Sequence, residues 1–223
     1  MKKFLFGLTP LLAVAAFAVM PAGAQAAREN ACWQNTEKGP CITKTETIVS
    51  RSDIPSGRLL LTDTNASSPF YGVYVSCIDT DEGTVGTGGK DSITKTTFSS
   101  CTTNAPKCTV TAHQLSAWTT QAEKETVEKE KVKVTTYYDT ITIPKEEGEI
   151  EFTGTECKEA PKKLFFSGKV SQTWTNRGAT EAGDSTFTNA PGLTLSNGDS
   201  TVVNGTIEIA RSFGPPVIPI FES

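Results

Sequence analysis

The stretch "FYGVYVSCID", Phe70 to Asp79, decides the fold class. Tyr71, Val73, Val75 and Cys77 fall on one parity, and Phe70, Gly72 and Tyr74 on the other. An apolar repeat of two is the period of a pleated strand, with one face buried and the other wet. No helix carries that pattern, and a parallel sheet reads as a continuous apolar run instead.

The same alternation recurs outward from this stretch. In 149–156, Ile150 and Phe152 oppose Glu149 and Glu151; in 205–213, Ile207 and Ile209 oppose Glu208. Further strand-like runs are "ITKTETIVS" (42–50), "RLLLTDT" (58–64), "SITKTTFSS" (92–100), "CTVTAH" (108–113), "KVKVTTYYDTITI" (131–143), "KLFFSGKVSQTWT" (163–175) and "GLTLS" (192–196). About one residue in seven is threonine, whose branched β-carbon suits a pleated surface while its hydroxyl faces water. Turn clusters rich in Gly, Pro, Asn and Asp separate the runs, and Asn197-Gly198 and Asn204-Gly205 are candidate tight hairpins. Many short strands so punctuated predict an all-β fold, an antiparallel β-sandwich of immunoglobulin-like or jelly-roll-like type. One segment is ambiguous. "AWTTQAEKETVEKEKVK" (117–133) is read either as one short exposed helix near 117–130 or as a charged edge strand.

The first 26 residues run from Lys2 and Lys3 through an apolar stretch, Phe4 to Met20, to small residues. That order is a secretory signal peptide, cut after Ala26 or Ala24. Residues 27–223 then form a single secreted or cell-surface domain, with no membrane span once the signal is removed. Six cysteines in an exported chain favour disulfides over zinc. Pro and Asn lie between Cys32 and Cys41 and between Cys101 and Cys108, which favours those two pairs and leaves Cys77 with Cys157. The competing set joins Cys77 to Cys101 and Cys108 to Cys157.

Charge narrows the partners. The chain holds Lys+Arg 21 and Asp+Glu 25, and removing Lys2 and Lys3 gives 19 − 25 = −6. A mildly acidic protein argues against nucleic acid. The loop "DEGTVGTGGKD" (81–91) fails as a phosphate cradle, because Thr84 and Asp91 stand where the P-loop needs Gly and Ser or Thr. It also fails as an EF-hand, since positions six and twelve from Asp79 are Thr84 and Lys90. An irregular metal site at Asp79 and Asp81 is what survives of the calcium reading. No other cofactor is expected. The single histidine, His113, has no nucleophile elbow near it, which disfavours triad hydrolases.

Trp174, between Gln172 and Asn176, and the pair Tyr137-Tyr138 are candidate sugar-stacking aromatics. The expectation is a non-enzymatic binding or structural module whose partner is a glycan or another extracellular protein. Carbohydrate binding is the first alternative, and a carboxylate-dependent glycoside hydrolase is the second. "NAS" (65–67) and "NGT" (204–206) match the N-glycosylation pattern.

Overall fold

A computed structural model describes residues 27–52, 57–155, 157, 160–213 and 218–223; the segment read as a signal peptide lies outside them. Fourteen strands are formed among the described residues. They are β1 (Glu29–Asn30), β2 (Trp33–Gln34), β3 (Glu46–Arg51), β4 (Leu59–Asp63), β5 (Tyr74–Val85), β6 (Lys90–Thr103), β7 (Thr109–Gln114), β8 (Trp118–Lys129), β9 (Val132–Thr153), β10 (Lys163–Thr175), β11 (Gly183–Leu195), β12 (Ser200–Ser212), β13 (Ile218–Pro219) and β14 (Phe221–Glu222). The class is all-β and antiparallel, and three disulfides staple it. The charged segment 117–130 is strand β8, not helix.

The pairings run β5–β6–β8–β9–β10–β11–β12, and β12 returns to β5 through β3 and β4. That ring closes. Segments β3 and β4 make one stave in two pieces, and β7 with β8 make another: β8 pairs the first half of β9 and β7 the second. Gln114 bridges β7 to β6, its Oε1 accepting from Thr96 N and its Nε2 donating to Ile93 O at 3.0 Å. The packed layers expected from the alternation are therefore opposite walls of one continuous eight-stave sheet, and closure leaves few edges to protect.

Local sequence sets the turns. Glu130 and Lys131 both take positive φ (50 and 67) in the two-residue turn joining β8 to β9, the twist that tight hairpins require. Asn197-Gly198 forms the β11–β12 turn, with Gly198 N donating to Leu195 O. Asn204-Gly205 does not turn the chain; it lies inside β12, where Asn204 Oδ1 accepts from Asn189 N.

The inner face carries two apolar cores. One contains Val75, Cys77, Trp118, Ile141, Phe166, Val170 and Phe187; the other contains Trp33, Val85, Trp174, Ile207, Ile209 and Ile220. Outward positions hold threonine, serine, lysine and glutamate, with cross-strand hydroxyl pairs such as Thr126–Thr135 at 3.0 Å and Thr186–Thr206 at 3.1 Å. This wall is apolar inside and hydrophilic outside, the reverse of a lipid-facing barrel. No helix among the described residues is long and apolar enough to cross a membrane.

Cys32 pairs with Cys41 as expected. The other two bridges correct the favoured connectivity: Cys77 joins Cys101, and Cys108 joins Cys157. The β5–β6 hairpin starts from Val85 opposite Asp91. Two bulges then each put one extra residue into β6, so Ser76 arrives opposite Thr102 and Cys77 beside Cys101. Cys108 precedes β7, whose Thr109 lies opposite Thr153 of β9, and that register delivers Cys108 to the segment containing Cys157.

Candidate functional site

The barrel interior is layered. Along six staves the inward side chain changes from apolar to polar two residues on: Cys77 to Asp79, Ile93 to Asp91, Trp118 to Thr120, Ile141 to Asp139, Val170 to Gln172 and Phe187 to Ser185. The polar members form a belt between the two apolar cores. Glu222, 1% exposed, adds a carboxyl from the C-terminal strand β14. None of the buried residues among those described is Lys or Arg, so the carboxyls have no buried cation to neutralise them.

Their protonation reflects this. Burial pushes Asp139 up to about 6, helped by Glu123 and opposed by hydrogen bonds from Gln172 and Thr120. Glu222 is pushed up to about 10 by burial and then by the charges of Asp139 and Asp91. Asp91 is held well above the usual carboxylate range by burial and by Asp139, while Thr120 and the Trp33 indole favour its ionised form. Removal from water disfavours the charged form of each group.

Asp79 and Asp81 belong to the same inner face. The Ser50 and Thr96 hydroxyls donate to Asp81 at 2.5 and 2.7 Å. Burial raises the pKa of both carboxyls, and Asp81 raises that of Asp79 further. Asp79, at the end of the strand-like run, and Asp81, at the start of the expected loop, thus both stand inside the wall, where β5 continues through Val85.

Trp174 is 4% exposed and meets Trp33 edge-on, with its Nε1 donating to Asn176 Oδ1 at 2.6 Å. It is a core residue and offers no ring face to a sugar outside. Tyr137 points inward and packs against the second core. Tyr138 points outward, but the Arg28 guanidinium lies over its ring at 3.7 Å from the centroid and occupies that face.

Tyr138 nevertheless lines a groove on the outer wall of β9, β10 and β11. This groove has a volume of about 330 Å³ and is bordered by Arg28, Lys169, Ser171, Thr173, Thr186 and Thr188. Arg28 is fixed there by Ser171 at 2.9 Å and Glu123 at 3.4 Å. Cavities in the interior are smaller: about 90 Å³ in the apolar core and about 20 Å³ at the polar belt.

A second outer constellation escapes sequence reading. Pairing of β7 with β9 sets His113 opposite Glu149 and brings His113, Glu149 and Glu151 within 4.8 Å. The Lys163 ammonium already engages Glu149 at 2.9 Å, and His113 Nε2 lies 3.3 Å from Thr111 Oγ1. His113 lies 36 positions before Glu149 in the chain, so only the strand register could bring the histidine to the two glutamates.

Comparison of the chain with protein-family models, with curated proteins and with solved structures gave no match.

Proposed function

We propose that the protein is an exported, non-enzymatic binding module that holds an acidic, polyhydroxylated ligand, a sugar acid or a glycan containing one, in the outer groove. The observation that carries this reading is the lining itself. Two cationic side chains, Arg28 and Lys169, flank four hydroxyls and the Tyr138 edge in a cavity of about 330 Å³, the size range of small-ligand sites. Cations select a carboxylate, and hydroxyls spaced along neighbouring strands match the hydroxyls of a sugar ring. Because Arg28 covers the Tyr138 ring, recognition proceeds by hydrogen bonds and charge rather than by ring stacking. Export is supported by the three disulfides, which persist in oxidising compartments, and by the signal-like order of the first 26 residues.

The hydrolase alternative has less support. Asp81, Asp91 and Asp139, whose protonation is shifted upward, face a chamber of about 20 Å³, which admits an ion or a water molecule but not a pyranose ring. A glycan array that includes uronic-acid oligosaccharides tests the proposal. Residues 27–223 should bind acidic members, and Lys169→Ala should weaken that binding about tenfold while the fold is retained. Absence of binding by the wild type across the array removes the reading.

A further inference from the structure

The polar belt contains a chamber whose lining is chemically one-sided. Trp33, Asp81, Asp91, Thr120, Asp139 and Gln172 contribute polar groups to it. Gln172 is 1% exposed, and its Nε2 donates to Asp139 Oδ2 at 3.0 Å. That contact leaves Gln172 Oε1 without a partner, and Asp139 Oδ1 and Asp91 Oδ1 are likewise buried and unpartnered. Three oxygen acceptors therefore line one chamber, and the Trp33 indole N–H, near enough to Asp91 to favour its ionised form, does not reach a full hydrogen bond. Buried acceptors without donors cost free energy.

We propose that this chamber binds one hard divalent cation, calcium, with Asp91 and Asp139 as charged ligands and the Gln172 amide oxygen and Thr120 hydroxyl as neutral ones. The donor set is all oxygen, the choice of a hard cation rather than zinc or copper. Two carboxylates match a double positive charge, and no buried Lys or Arg among the described residues competes for them. At about 20 Å³ the chamber leaves no room for a hydration shell. Magnesium sheds water reluctantly and demands octahedral geometry, whereas calcium accepts irregular sets of protein oxygens. This site differs from the outer groove in place and chemistry, and neither requires the other.

The indole of Trp33 lines the chamber, so terbium can serve as a luminescent stand-in for calcium. In residues 27–223, tryptophan excitation should give saturable terbium emission that calcium displaces and magnesium does not. Calcium should also raise the thermal midpoint at concentrations of about 0.1 to 1 mM, the range of extracellular modules. Asp139→Asn should abolish both responses while the metal-free variant unfolds at or above the wild-type temperature, since a buried charge has been removed. Glu149→Gln, on the outer His113 cluster, should leave both responses intact. If Asp139→Asn does not fold, Gln172→Met carries the test, and an affinity loss of about tenfold or more is expected. Wild-type protein without emission or calcium stabilisation overturns the proposal. So does emission that survives Asp139→Asn, or that disappears in Glu149→Gln.

Discussion

The rings of Trp33 and Trp174 meet edge to face at a centroid distance of 4.9 Å and an interplanar angle of 85°. Trp33 belongs to β2 and Trp174 to the wall strand β10, so this contact fastens the N-terminal segment into one end of the barrel. The C-terminal strand shares the fastening. Phe221 and Glu222 pair with Gln34 and Trp33, and Asn176 accepts from both Trp174 Nε1 and Glu222 N at 2.6 and 3.1 Å. Both ends of the folded chain thus close the same mouth.

Loss of the indole should therefore be a stability event. Trp174→Ala is expected to cost about 3–5 kcal/mol, the usual range for a buried large aromatic, with no direct effect on ligands of the outer groove. Urea denaturation read by circular dichroism gives the first quantity. A variant as stable as wild type would contradict the closed end described above.

Gly183 is tied to the same ring. A β-carbon built there would sit 2.1 Å from Trp174 Cζ2, so Gly183→Ala should destabilise the barrel by about 1–3 kcal/mol through overpacking. In the Trp174→Ala background the clash has no partner, and the penalty should largely vanish. Additive costs in the double mutant would show that the strain lies elsewhere.

The hairpin bridge makes a third test. Replacing Cys77 and Cys101 together with alanine should cost about 3 kcal/mol, because the oxidised form restricts the unfolded chain across a separation of 24 residues. Non-reducing peptide mapping should recover Cys77 linked to Cys101 and Cys108 linked to Cys157. A Cys101–Cys108 peptide would contradict the β5–β6 register.

Strand class was legible because alternation is a local property: Val75 and Cys77 advertise an inward face without reference to any neighbour. Connectivity was not, because the two bulges in β6 shift the register that places Cys101, and nothing in "SITKTTFSSC" signals an extra residue. Ring closure depends on β12 pairing with β3 and β4 near the other end of the chain, a long-range fact. The polar belt did leave a trace. In "YYDTITI", Asp139 shares the parity of Ile141 and Ile143, and in "KVSQTWT", Gln172 shares that of Val170 and Trp174. A polar residue at a core parity in an otherwise regular run marks a buried polar site. The same parity argument places Trp174 inside, which composition alone could not.

Stability should fall as pH rises, and the sign follows from the direction of the shifts. Asp139 titrates near 6 in the barrel against 3.8 for the free side chain, and Glu222 near 10 against 4.5. Below about 4 both are protonated in the folded and unfolded chains, and no charge is buried. Between 3.8 and about 6 the unfolded chain releases the Asp139 proton while the barrel retains it; between 4.5 and about 10 the same holds for Glu222. The unfolded state then binds fewer protons, so unfolding becomes easier with each pH unit, by up to about 1.4 kcal/mol per group. Asp199 acts in the opposite sense, since hydrogen bonds led by Ser68 hold its pKa down, and its contribution is lost only on strong acidification. In buffer containing a chelator, the thermal midpoint should decline from pH 5 to pH 9. Glu222→Gln keeps the shape of the side chain but cannot ionise, so it should flatten the decline above pH 6. Asp139→Asn should flatten the part below it. A wild-type profile level from pH 6 to 9, or a Glu222→Gln profile as steep as wild type, would mean that the carboxyl beside Asp91 and Asp139 is hydrated rather than buried.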